Sequence, residues 1–108
     1  MSKKVTTSSK PLSPLNRKLS KQAGKALLAL IKSQPKHARQ ISARIEEMRL
    51  MPYPSDSKKL QGYDDFYRVD VGEMRIIYSI THEFLNVEII GKRNDSEVYK
   101  LLKRKITS

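Results

Sequence analysis

Residues 65–80 read DFYRVDVGEMRIIYSI. Apolar and polar side chains alternate up to Val71, Gly72-Glu73 interrupts, and the alternation resumes at Met74. Two strands joined by two residues, glycine first, make a tight β-hairpin. The spacing pairs Val71 with Met74, Asp70 with Arg75, Val69 with Ile76, Arg68 with Ile77 and Tyr67 with Tyr78. Successive side chains point to opposite faces, so Tyr67, Val69, Val71, Met74, Ile76, Tyr78 and Ile80 share one face. That face is almost wholly apolar and has to be covered. The other carries Phe66, Arg68, Asp70, Arg75, Ile77 and Ser79, a mixture that suits an open, ligand-facing surface.

Working outward, Thr81-His82-Glu83 predicts a second turn and Phe84–Ile90 a third strand ended by Gly91. This strand adds Leu85, Val87 and Ile89 to the apolar face, with Asn86 and Glu88 opposite. Residues 96–105 suit a short helix capped by Asp95 or Ser96. Upstream, Met51–Tyr63 holds Pro52, Pro54, Asp56 and Gly62 and reads as a loop. Before it, Leu19, Ala23, Ala26, Leu27, Leu30 and Ile31 recur at helical spacing, as do Ala38, Ile41, Ile45 and Met48. Gly24 weakens the first helix by about 1 kcal/mol relative to alanine, too little to prevent it. Pro35 fits the first turn of the second helix, so the two form a helical hairpin with a tight connection. Residues 1–18 are basic, hydroxyl-rich and interrupted by Pro11 and Pro14, and are expected to be largely flexible. A short edge strand around Leu15–Leu19 is the exception. The prediction is an α+β fold: a small antiparallel sheet, a three-strand meander with this candidate N-terminal edge strand, packed against an N-terminal helical hairpin, with a short C-terminal helix. Residues 19–108 form its single domain.

The chain has 108 residues, a formal net charge of +11 and 38% hydrophobic residues, enough for one small core. The absence of cysteine excludes disulfides, thiolate zinc sites and cysteine nucleophiles. His37 and His82 lack metal-ligand spacing and read as surface histidines, and no apolar run reaches membrane-spanning length. Neither a metal, a cofactor nor a membrane is expected. Residues 1–45 hold eleven Lys or Arg and no acid, whereas residues 46–108 hold eleven of each. All the net charge therefore sits in the first two-fifths of the chain. Such a block attracts a polyanion, with nucleic acid the first candidate, or serves as a solvated, solubilising surface.

The stretch KLQGYDDFYRVDVGEMRIIYSI, followed by a strand and then GKRNDSEVY, resembles the RelE/ParE superfamily of bacterial toxins from type II toxin–antitoxin systems. The resemblance covers roughly residues 58–100. It rests on an ordered set: Leu-x-Gly, a Tyr-Arg strand, a tight turn with Arg-x-x-Tyr beyond it, Gly-Lys-Arg closing a strand, and Glu-Val-Tyr. The superfamily implies a bacterial, cytoplasmic protein held inactive by a cognate antitoxin, in complexes that can be of higher order. It houses two activities. RelE-like members cut mRNA in the ribosomal A site without metal, whereas ParE-like members inhibit DNA gyrase and lack the nuclease side chains. A degenerate, non-toxic RNA-binding member is a third reading.

The resemblance to RelE-like sites implies catalytic roles for Arg68, Arg75, Arg93 and Tyr99. Metal-free RNA cleavage uses the substrate's 2′-hydroxyl as nucleophile, so the protein has to orient it and stabilise a crowded, doubly charged phosphorane. Arginine offers forked donors that match phosphate oxygens, and tyrosine a stacking face and a hydroxyl. Retention of all four favours the nuclease branch. Lys18, Lys21, Lys25, Lys58, Lys59, Lys92, Lys103 and Arg104 are the candidate RNA-binding cations, the first three for docking on ribosomal RNA. One departure stands out. RelE-like sites often carry a second basic residue two positions along the Tyr-Arg strand, and here that position is Asp70. Facing Arg75, Asp70 modulates the site, either by orienting that arginine or by taking up charge meant for phosphate.

Overall fold

The computed structural model describes residues 13–94 and 96–107. Asp95, one candidate cap, and most of the expected flexible segment, residues 1–12, lie outside the described residues. The elements run β1 (Asn16–Leu19), α1 (Lys21–Ser33), α2 (Pro35–Leu50), β2 (Lys58–Lys59), β3 (Tyr67–Val71), β4 (Met74–Thr81), β5 (Phe84–Lys92) and α3 (Glu97–Thr107). The five strands form one sheet ordered β1-β5-β4-β3-β2, antiparallel except for the parallel β1–β5 edge.

The β3–β4 hairpin has all five predicted pairs, and Gly72 takes φ +60° in the turn. The helical hairpin covers the apolar face. Ala38, Ile41, Ile45 and Met48 of α2 are buried against Val69, Ile76, Tyr78, Leu85 and Val87. The Tyr78 hydroxyl donates to the Pro52 carbonyl at 2.7 Å, and burial pushes that phenol up to about 12. Ser20 caps α1 by accepting from the Ala23 amide, and Pro35 opens α2. The stripe read for α1 holds at Ala23 and Leu30, which are buried, and at Leu19, Ala26 and Leu27, which pack against the same core, but Ile31 in the last turn is 52% exposed.

Four expectations are corrected. The Met51–Tyr63 loop contains β2, two residues that pair Lys58 with Arg68 and Lys59 with Tyr67. The expected edge strand is present at Asn16–Leu19, with Leu15 buried just before it, so it is the domain boundary at residue 19 that moves back. Ile89 lies on the face away from α1 and α2, because Glu88 is an extra residue: Tyr78 pairs with Val87 and Ile77 with Ile89. The bulge flips every later side chain, and Ile90 takes the place in the main core. Its loosened backbone is bonded from α1, by Ser20 to the Val87 and Glu88 carbonyls and by Gln22 to both backbone groups of Ile90.

The fourth correction concerns the surface expected to be open. α3 packs on it, and Val98 and Leu102 join Leu60, Ile77 and Ile89 in a second small core. Gly91, read as a strand end, is inside β5 for this reason. A Cβ there would fall well inside the contact distance of Val98 Cγ1. Valine is β-branched and stiff in a helix, so the clash cannot be relieved by rotating it away. Gly91→Ala is expected to lower stability by about 1–3 kcal/mol through overpacking, read as a lower urea midpoint at unchanged slope.

Candidate functional site

The α3 side of the sheet collects the chemistry. Arg68 on β3, Asp70 two residues on and Arg75 on β4 share this face. Tyr99 comes over them from the first turn of α3, placed by Val98 and Leu102 in the core beneath. A cleft of about 320 Å³ lies between the β2–β3 edge and α3, lined by Lys58, Lys59, Gln61, Tyr63, Arg68 and Tyr99. That is the size of a small-ligand site.

The two arginines differ in state. Arg75 is held on both sides. Its Nε donates to Asp70 Oδ1 at 2.7 Å, Nη2 to Oδ2 at 3.3 Å, and Nη1 to the Tyr99 hydroxyl. Its guanidinium carbon sits 5.8 Å from the Tyr99 ring centroid, and the side chain is only 13% exposed. Arg68, half-buried in the cleft wall, has no carboxylate partner among the described residues. Its main-chain partner across the strand pair is Lys58, so two cations face the same space.

The bonded Arg75 guanidinium holds the Asp70 carboxyl below its ordinary range, against partial burial, and the charges of Arg68 and Arg93 act in the same direction. The ion pair's contribution is thus full at neutral pH and is lost only as pH falls through Asp70's lowered value. The same bond raises Arg75, so this arginine stays charged.

Arg93 follows β5 and is exposed, its amide bonded to the Glu73 carbonyl at 2.9 Å, which ties it to the hairpin turn. Lys103 and Arg104 are exposed on α3, with Lys103 one turn past Tyr99. Lys92 pairs with Met74, so alternation sends it to the α1–α2 face, away from the cleft. Lys18, on the far edge strand, has its Nζ 5.9 Å over the Phe84 ring, and Lys21 and Lys25 are exposed on α1. The structure therefore gathers Arg68, Asp70, Arg75 and Tyr99, with Lys58 and Lys59 at the rim, and sets the docking cations on other surfaces. Gln61 and Tyr63 line the cleft too, and their signal in the sequence is their place within Leu60-Gln61-Gly62-Tyr63.

No family model and no curated protein matches the chain. Solved structures do. A chain of the archaeal RelE–RelB complex from Pyrococcus horikoshii OT3 is 28% identical, with 75% of this chain and 97% of that chain covered and a TM-score of 0.62. The chain belongs to the RelE/ParE toxin superfamily. The toxin RelE of E. coli, solved in the free state as an arginine-substituted mutant, aligns over 87% of this chain and 99% of its own at 21% identity and a TM-score of 0.72. The RelBE2 toxin–antitoxin complex of Mycobacterium tuberculosis aligns over 80% and 99% at 17% identity and a TM-score of 0.66. On this RelE/ParE scaffold, the cleft beside β2 and β3 brings cations together with two tyrosines.

Proposed function

We propose that the chain is a toxin of a type II toxin–antitoxin system that cuts mRNA on the ribosome without a metal, using the substrate's 2′-hydroxyl as nucleophile. The observation that carries this reading is the cleft itself. Arg68, Lys58 and Tyr99 line one space large enough for a nucleotide. Arg68 and Lys58 supply charge for the phosphate, Tyr99 a face for a splayed base, and Arg93, whose charge acts on Asp70, a further cation nearby. The toxin–antitoxin complexes among the structural neighbours support a cognate antitoxin as the chain's partner, and the proposal sets the pair in a bacterial cytoplasm.

Primer extension on translated mRNA tests the reading in cells expressing the chain. Codon-registered cuts that fade in Arg93→Ala are expected. Intact mRNA with a DNA-damage response would assign the chain to gyrase inhibition, and intact mRNA without toxicity to RNA binding alone.

The carboxylate-free block of residues 1–45 serves docking in this scheme, since its cations among the described residues lie on β1, α1 and α2 rather than in the cleft. Replacing Lys18, Lys21 and Lys25 with glutamine is expected to weaken ribosome binding and flatten its salt dependence. The slope should fall by about 0.7 of a log unit per log unit of salt for each phosphate that is no longer neutralised. Single-turnover cleavage at saturating ribosomes should be unchanged, and unaltered binding would make the block a solubilising surface.

A further inference from the structure

Arg75 stands where phosphate contact is expected, yet its donors are directed inward. Two of its nitrogens face the Asp70 carboxylate and a third the Tyr99 oxygen. A guanidinium already matched by a carboxylate in a two-point bond would have to break it to take a phosphate in the same way. Nearby Arg68 has no such partner among the described residues and needs no rearrangement.

We infer that Asp70 is a positioning residue that acts through Arg75 on Tyr99, fixing the phenol so that its hydroxyl donates to the RNA phosphate that Arg68 holds. The hydroxyl oxygen accepts from Arg75 Nη1, which leaves its own proton free to point away from Arg75. The Tyr99 side chain lines the same cleft as Arg68 and Lys58. The bare backbone of Gly91 lies directly across the strand pair from Arg75, and Val98 packs into the space it leaves. That close approach is what brings the next residue, Tyr99, within reach of Arg75. The carboxylate in place of a cation is therefore a working part: it gives Arg75 a fixed direction, and the phosphate-binding charge passes to Arg68 and Lys58.

This inference rests on the nuclease reading, and a double-mutant cycle on the full chain tests it. Single-turnover cleavage of mRNA on purified ribosomes is measured for the wild type, Asp70→Asn, Tyr99→Phe and the double variant. Each single change is expected to slow cleavage about tenfold with binding unaltered, and the double variant to be no slower than Tyr99→Phe alone. Additive losses would overturn the inference, because Asp70 would then act without Tyr99. Faster cleavage in Asp70→Lys would overturn it too, marking Asp70 as a restraint on the site. A second readout does not need activity. The Arg75 Nε–H resonance should be sharp and slowly exchanging in the wild type and in Tyr99→Phe, and lost in Asp70→Asn, with the Tyr99 ring resonances shifting in the last. Should the wild type cut no RNA, the nuclease reading fails. The Asp70–Arg75–Tyr99 linkage is then judged on these resonances alone, and their indifference to Asp70→Asn overturns it.

Discussion

Replacing Arg68 with alanine is expected to slow single-turnover mRNA cleavage by about 10²–10³-fold, the usual cost of losing one preorganised donor to a developing oxyanion. Arg68 is half-buried in the cleft wall and carries no carboxylate partner among the described residues, so its charge is not spent on the fold. β3 holds its backbone between β2 and β4, which fixes the direction of the side chain before substrate arrives. The loss should fall on the chemical step, with ribosome affinity nearly constant, because the docking cations are elsewhere. Arg68→Lys keeps the charge but not the fork, and should fall between the two. Stability gives the control. An arginine without an ion-pair partner contributes little to folding, so the urea midpoint of Arg68→Ala should stay at the wild-type value. Loss of only a few-fold would place the scissile phosphate away from Arg68.

The parts of the fold that were readable in advance are those governed by local rules. A two-residue turn and strict alternation leave one register for β3 and β4, and all five pairs are found, including Asp70 opposite Arg75. The same alternation misplaces Ile89, because a bulge has no mark in its own strand. The groups that satisfy it, on Ser20 and Gln22, are 68 residues away in sequence. Gly91 is a similar case. As punctuation it suggests a strand end, and only the packing of Val98 shows that the strand needs a residue without a side chain there. β2, at two residues, is too short for any periodicity to show. At the site, the resemblance singled out Arg68, Arg75, Arg93 and Tyr99, and the register showed that Asp70 meets Arg75. The hydrogen bond from Arg75 to Tyr99 depends on where α3 lands, a tertiary matter that no spacing encodes. Hence the distinction between a committed arginine and an available one emerged only from the fold.

The landing of α3 is itself open to test, and Leu102→Ala should disturb it most. Leu102 is fully buried in the small core with Leu60, Ile77, Ile89 and Val98, a cluster separate from the one beneath α1 and α2. Val98 and Leu102 stand one turn apart on α3 and form its main apolar anchor. Removing a buried leucine side chain costs about 2–5 kcal/mol, and an isolated helix of this length has little stability of its own in water. The expected outcome is local. By hydrogen exchange, amides of α3 should lose most of their protection, whereas those of β4, sealed by the main core, should keep most of theirs. Cleavage should fall along with α3 protection, since Tyr99 leaves the cleft and Arg75 loses one of its two partners. Ile45→Ala removes a comparable volume from the other core and should lower protection across the whole sheet instead. Were Leu102→Ala to unfold the two cores together, α3 would be an integral part of the fold. Were it to expose α3 while cleavage continued at the wild-type rate, Tyr99 would have no part in the chemistry, and the cleft would have to work with its arginine and lysines alone.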